Sequence, residues 1–503
     1  MFIPLLALSI IFIISIFRVF LHHPGYRLPP GPKPWPIIGN LFDMKPLMFR
    51  YLAEMSEVYG PVTSLWIGSS LSINICNSDL AKQVLKENDQ HLANRSRTPA
   101  ISLLTNHGKE LIWADYGNHY IRLRKFCNME LFSPKSVHSL RPIWEDEISI
   151  MVKSIFKDCN PERNSVLRDY LREAAFHIIT RIVFGTRFAN REGELSEQGK
   201  ELKAILEDEI KHGASLGILD HIPWLSWIPR LQKSELKKHK GRQDRLARTI
   251  LEQRRTTTDH QQHFIGSILK QQAEYEFGEE TILGLIWDMI SAGADTSAIS
   301  VEWAMAEVIK NKNIQKRIQE ELNDVIGLNC IITERETSKL SYLQCIVKEV
   351  LRLHPPTPLM LPHKANKNVK IGDYDVPRGS TVHINIWAIA RSPENWEDPL
   401  EFRPERFLEE DVDVKGHDFR VLPFGSGRRV CPGAALGIDM VTSMFGHLLQ
   451  NFHWSLPQGV KPEEVDMLER PGLVTYMRTP FQAVATPRLP LHLYQMGNMD
   501  RTK

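Results

Sequence analysis

The chain has 503 residues, 42% of them apolar and 24% charged, and a net charge of +2. That balance suits a large folded protein and excludes the concentrated basic surface of a nucleic-acid binder, so no nucleic-acid partner is expected. Thirty-one prolines divide the chain into many bounded elements, and no internal repeat or low-complexity tract is present.

The first 21 residues, MFIPLLALSIIFIISIFRVFL, carry no charge before Arg18. The run approaches the roughly 20 residues that span a bilayer and lacks both the basic leader and the small-residue cleavage site of a secretory signal. It is expected to be a single-pass anchor helix over residues 1–21. Arg18, Arg27 and Lys33 flank its far side, which places the body in the cytosol. Residues 22–39, with five prolines from Pro29 to Pro36, are expected to form an extended, stiff hinge. Residues 40–503 show no composition break and read as one mainly α domain with small β-sheets. The rival boundary near Asp259 rests only on the polar run RRTTTDHQQH.

Within the body, VTSLWI and SLSINIC flank Gly68-Ser69-Ser70 as a hairpin, and Ser78 is placed to cap the following helix. Helical periodicity dominates from Glu145 to Glu320. Val369 to Trp387 reads as strand, turn, strand. The six cysteines, Cys76, Cys127, Cys159, Cys330, Cys345 and Cys431, have no paired spacing. They indicate a reducing compartment, and all but Cys431 are expected to be small buried residues.

Three stretches put polar groups where an apolar helix does not need them. ETILGLIWDMISAGADTSAISVEWAMAEVIKN is apolar on nearly every face and predicts a buried helix. Its centre holds Gly293, Asp295 and Thr296. A structural account needs Thr296 to bond a carbonyl and Asp295 to find a cation. The functional account is a kinked helix whose acid and alcohol pass protons to a ligand. KEVLRLHPP sets Glu349 and Arg352 three residues apart, a pair expected to be buried, with Arg406 of EFRPERF as a second cation.

FGSGRRVCPG surrounds Cys431 with Gly425, Gly427 and Gly433 and adds Arg428 and Arg429. A thiol at a helix start beside arginines is expected to have a lowered pKa, as for a nucleophile, a redox thiol or a metal ligand. No histidine base, resolving thiol or phosphate-loop spacing accompanies it. A single thiolate ligand to haem iron accounts for the pattern best.

FGSGRRVCPG resembles the haem-thiolate signature F-x-x-G-x-R-x-C-x-G of the cytochrome P450 superfamily through Phe424, Gly427, Arg429, Cys431 and Gly433. AGADTS, the Glu349–Arg352 pair and PERF match that family's other motifs in order. The resemblance implies haem b between a long central helix and the cysteine loop, with Cys431 as axial ligand and Asp295 with Thr296 serving oxygen activation. It implies a structural Glu349–Arg352–Arg406 cluster, and haem contacts from Phe424, Gly433, Arg124, Arg429, Tyr120 and His363. Tyr120 stands where many members have tryptophan, and His363 where many have arginine; both are expected to hydrogen-bond a propionate. It further implies electrons from NADPH through a reductase and residence in the endoplasmic reticulum membrane.

WADYGNHYIRLRK, HPPTPLMLPHKAN and FRPERFLEEDVDVKGHDFRVLPFG are similar to plant enzymes that hydroxylate 4-coumaroyl conjugates beside the phenol. The likeness loosens over Thr98–Gly108 and Glu207–Leu219, the stretches that roof the pocket in that fold. It implies a phenolic small-molecule substrate, a coumaroyl ester of shikimate, quinate or a phenyllactate, or an amide. Ala292, Thr357, Leu359 and Thr475 are the candidate pocket walls. Arg122, Lys125 and Arg428 are candidates for docking an acidic reductase. The rivals are a flavonoid hydroxylase, a haem-thiolate isomerase or dehydratase, and a non-catalytic haem protein.

Overall fold

A computed structural model describes residues 9–11, 25–36, 38–160, 164–190, 193–214, 230–256 and 263–495. The helices that build the site are α1 (Asn118–Cys127), α2 (Pro134–Asp158), α3 (Leu167–Phe184), α4 (Glu197–Ala214), α5 (Arg230–Arg255), α6 (Glu279–Lys310), α7 (Ser341–Leu353) and α8 (Ala434–Asn451). The strands are β1 (Val62–Ile67), β2 (Ser70–Ile75), β3 (Asn94–Arg95), β4 (Ser165–Val166) and β5 (His363–Lys364). They continue with β6 (Val369–Ile371), β7 (Tyr374–Val376), β8 (Thr381–Ile384), β9 (Phe452–Ser455) and β10 (Gln482–Pro487). The architecture is helix-rich with three small sheets, as expected.

The largest sheet runs β1-β2-β8-β5-β3, a second β4-β10-β9, and a third is the β6-β7 pair. β1 and β2 form the expected hairpin, with Ile67 opposite Ser70 across the two-residue turn. The expected strand-turn-strand over Val369–Trp387 is corrected. Gly372, at φ +55°, turns β6 into β7. A second turn at Pro377–Ser380 then sends β8 away to lie parallel to β2, and Trp387 falls in a short helix. The helix after β2 is capped by Asn77, whose side chain accepts from the Asp79 and Leu80 N–H groups; Ser78 is its first residue.

One apolar core draws on residues from Leu111 to Tyr494, and so on both sides of residue 259. α6 runs through its middle. It is long and apolar enough to cross a membrane, but 78% of its most apolar window is buried in protein, which makes it a core helix. The proposed anchor over residues 1–21 lies outside the described residues apart from helical Ser9–Ile11, and the RRTTTDHQQH boundary lies mostly outside them. The proline-rich hinge is laid along the body. Ser64 donates to the Pro30 carbonyl through its N–H and to the Pro29 carbonyl through Oγ, at 2.9 and 2.7 Å.

α6 needs Gly293 for packing. A Cβ there would stand 2.6 Å from Cδ1 of Ile179 on α3. The helix continues through this residue, and the missing side chain permits a close helix–helix approach. Among the other cysteines, Cys127 and Cys345 are buried, whereas Cys330 is exposed, against expectation.

Candidate functional site

A cavity of about 530 Å³ opens between the middle of α6 and the Phe424–Gly433 loop. Cys431 lies on its floor and Ala292, Asp295 and Thr296 on its α6 wall. The sequence motifs, 135 residues apart at Thr296 and Cys431, therefore face one space.

The cysteine loop is shaped by backbone constraints. Gly425 and Gly427 have φ of +70° and +68°, a region that disfavours side chains. A Cβ on Gly427 would also stand 2.0 Å from the Leu85 carbonyl oxygen. The Cys431 N–H donates to the Phe424 carbonyl at 2.8 Å. From α1, Tyr120 donates through its hydroxyl to the Arg428 carbonyl at 2.7 Å, and Arg124 donates to the Val430 carbonyl at 2.6 Å. The loop is thus clamped from outside while the sulfur faces the cavity.

The expected lowering of the Cys431 pKa is not found. Burial pushes the thiol up, against the pull of the Gly433 N–H and the Arg124 charge. Neither adjacent arginine serves the sulfur. Arg428 turns outward to Asp89, and Arg429 donates to the carbonyls of Ala93 and Ala114. A cation placed against Sγ would restore the preference for thiolate.

The chemistry of an anion site lies beside this loop. Arg95, Arg124 and Arg429 all border the cavity. Arg429 stacks on Tyr120 at 4.0 Å and leaves Nη1 without a partner. Burial lowers its pKa, and burial together with the Arg429 charge lowers Arg95 to about 9. Among the described residues neither forms an ion pair with a carboxylate side chain. His363 is 1% exposed; its Nδ1 bonds the Leu92 carbonyl at 2.8 Å and its Nε2 has no partner. Desolvation pushes its pKa down to about 3, so the ring is neutral, its one proton goes to the Leu92 carbonyl, and Nε2 has none to offer a propionate; with His363 outside the cavity lining among the described residues, the expected propionate contact is corrected. Buried cations with unspent donors and no acid fit a bound dicarboxylate such as the haem propionates. Arg95 escaped the sequence reading because it occurs in a short stretch without a motif; only its burial marks it. The hydroxyl of Tyr120 is the correction here: its proton goes to the Arg428 carbonyl, so it supports the loop and the Arg429 stack.

Both structural demands on α6 are met. Thr296 Oγ1 donates to the Ala292 carbonyl at 2.9 Å, and Asp295 Oδ1 accepts from Nε of Arg172 at 2.9 Å. Arg172, on α3, was not singled out in the sequence. Behind the loop, Glu349 and Arg352 are fully buried and joined by two bonds of 2.6 and 2.8 Å. Arg406 Nε adds a third at 3.0 Å. The predicted cluster is assembled.

Of the four candidate pocket walls, Ala292 and Thr357 line the cavity. Leu359 packs instead against Tyr51, Leu52, Met55 and Leu65. Thr475 is 3% exposed and donates Oγ1 to the Pro355 carbonyl at 2.9 Å; its neighbours Val474 and Tyr476 reach the cavity in its place. The divergent stretches do border the pocket, through Ile101, Leu104, Thr105 and Glu209, with residues 215–219 outside the described part.

The sequence profile of the family described as Cytochrome P450 matches residues 29–482. Cytochrome P450 98A2 of Glycine max is 56% identical, over 97% of this chain and 99% of that protein. A flavonoid 3'-monooxygenase of Petunia hybrida is 36% identical, over 93% of each. A zebra fish cytochrome P450 solved with progesterone superposes with a TM-score of 0.76 at 25% identity, covering 88% of this chain and 99% of the other. The chain belongs to the cytochrome P450 family, whose members are haem enzymes supplied with electrons by a redox partner.

Proposed function

We propose that the protein hydroxylates the phenolic ring of 4-coumaroyl conjugates beside the hydroxyl group, giving caffeoyl conjugates, with NADPH-derived electrons from a reductase. The observation that carries this is the shared cavity of Cys431 and the Asp295–Thr296 pair. The full-length similarity to a P450 98A protein, and the more distant one to 3'-monooxygenases, support the regiochemistry. Flavonoids are the second substrate class that those relatives suggest.

Haem, when bound, supplies oxygen activation and one-electron chemistry. Cys431 would hold the metal, and Arg95, Arg124 and Arg429 the propionates. Phe424 and Gly433 would give the group room. Asp295 and Thr296 would bring protons to the site, since a carboxyl and a hydroxyl one residue apart form a short donor relay. The walls keep the ring near Cys431 and hold the other half of the substrate outward. This proton relay argues against an isomerase or dehydratase, which has no use for it. Exposed Arg122, Lys125 and Arg428 would favour an acidic reductase. The anchor helix and a reticulum location belong to the same proposal.

Turnover tests it. Microsomes holding this protein, a reductase and NADPH are expected to add one oxygen to a coumaroyl ester or amide. Loss of turnover on every coumaroyl conjugate, despite an intact haem spectrum, overturns the substrate and leaves the monooxygenase.

A further inference from the structure

The end of the cavity under the roof is lined by acids. Asp288 lies on α6 seven residues before Asp295, about 10 Å along the helix at 1.5 Å per residue. Its Oδ2 accepts from the N–H groups of Leu111 and Ile112 at 2.7 and 3.2 Å. Glu110 and Glu209 border the same space. Glu209, on α4, accepts from Ser291 Oγ at 2.9 Å. Three carboxyl groups from three elements thus converge on one end of one cavity.

Two further groups there are unsatisfied. Glu110 is 3% exposed and its Oε1 has no partner; Trp287 is 6% exposed and its indole N–H has none. Both line the cavity. Orphaned polar atoms at such burial mark a place where a ligand completes the hydrogen bonding. Desolvation holds Glu110 and Glu209 up at about 7, and desolvation with the Glu110 and Glu209 charges raises Asp288 well above the carboxylate range. Lys240 borders the same space and its charge works against the rise of Glu110 and Glu209, as does Arg97 for Glu110, but each is paired with another acid, Lys240 with Asp244 at 2.8 Å and Arg97 with Asp115 at 2.7 Å.

We infer that Glu110, Asp288 and Glu209, with the Trp287 N–H, form a subsite for the acyl-acceptor half of the conjugate, and that it selects an acceptor bearing a positive charge over one bearing a carboxylate. The inference rests on the coumaroyl reading. With the ring beside Thr296, a coumaroyl unit laid along α6 delivers its acceptor to Asp288. An ammonium or guanidinium there neutralises the acids and donates to their free oxygens, whereas a carboxylate adds to the repulsion. The Trp287 N–H remains to take the amide or ester carbonyl.

Full-length protein with its haem decides this with three probes: N-coumaroyl agmatine, the neutral N-butyl coumaramide, and coumaroyl shikimate. Dissociation constants come from the substrate-induced change in the haem spectrum, and kcat/KM from ring hydroxylation with reductase. The agmatine conjugate is expected to bind about tenfold or more tighter than the butyl amide, the scale of one charge-assisted contact, and the shikimate ester weakest. Glu209→Gln, whose only hydrogen-bond partner among the described residues is Ser291, and Glu110→Gln are each expected to cut that preference by about tenfold. Tightest binding by the shikimate ester, or a preference that survives both substitutions in protein with an intact carbon monoxide spectrum, overturns the subsite while the coumaroyl reading stands. No binding and no turnover of any probe overturns both.

Discussion

Arg172 on α3 reaches across to α6 and binds Asp295 through Nε at 2.9 Å. The aspartate is one residue from Thr296 and only 14% of its side chain is exposed, so the arginine fixes where its carboxylate points. An acid that passes protons must also exchange them with solvent, and Arg172, at 31% exposure, lies on the outward side of the pair. Replacing it by glutamine keeps a donor and removes the charge. Arg172→Gln is expected to retain haem while product formed per NADPH falls by about tenfold, the worth of one charge-assisted bond. Unchanged coupling, measured as product against NADPH consumed, assigns Arg172 to packing alone.

Thr296 presents the complementary case. Its hydroxyl is spent on the Ala292 carbonyl, which is what a helical threonine does for purely local reasons. Thr296→Ala is expected to leave haem binding intact and to divert NADPH into peroxide, and Thr296→Ser to restore coupling. Equal peroxide yields in all three proteins would make the hydroxyl a helix feature.

Cys431 is expected to be the sole axial sulfur. Cys431→Ala should abolish the red-shifted Soret band of the reduced carbon monoxide complex. Survival of that band in the variant would place the ligand elsewhere.

The buried Glu349–Arg352–Arg406 cluster makes a prediction about folding. Arg352 also donates to the Ala390 and Pro399 carbonyls, at 2.6 and 2.8 Å, and so ties α7 to the segment behind the cysteine loop. Removing one member leaves a buried carboxylate without its partner, a loss of about 3–5 kcal/mol. Arg352→Met is expected to yield little haem-bearing protein and a strongly lowered Tm. Glu349→Gln, which removes charge but not shape, should be milder. A thermal midpoint near that of the parent in both variants would show that the cluster is dispensable.

What the sequence determined by itself was the chemistry of the centre. Cys431 among glycines, the Asp295–Thr296 break in an apolar helix, and an acid–arginine pair in α7 are local anomalies, each too costly to bury without a purpose. The hairpin at Gly68-Ser69 and the buried α6 were legible too, because turn chemistry and apolar periodicity act over a few residues. Partners were not. That Asp295 meets Arg172, 123 residues away, and that Arg95 stands beside Arg429 depends on how helices and loops pack, and neither arginine carries a local signal. The same reason accounts for the errors. Leu359 and Thr475 sit in stretches that do touch the cavity, but whether a given side chain faces inward or into the core is decided by backbone direction in loops without a period. The acidic roof is the clearest instance. Glu110, Glu209 and Asp288 lie in three ordinary-looking segments, and only the tertiary fold turns them toward one space and strips away the water that would have made them unremarkable.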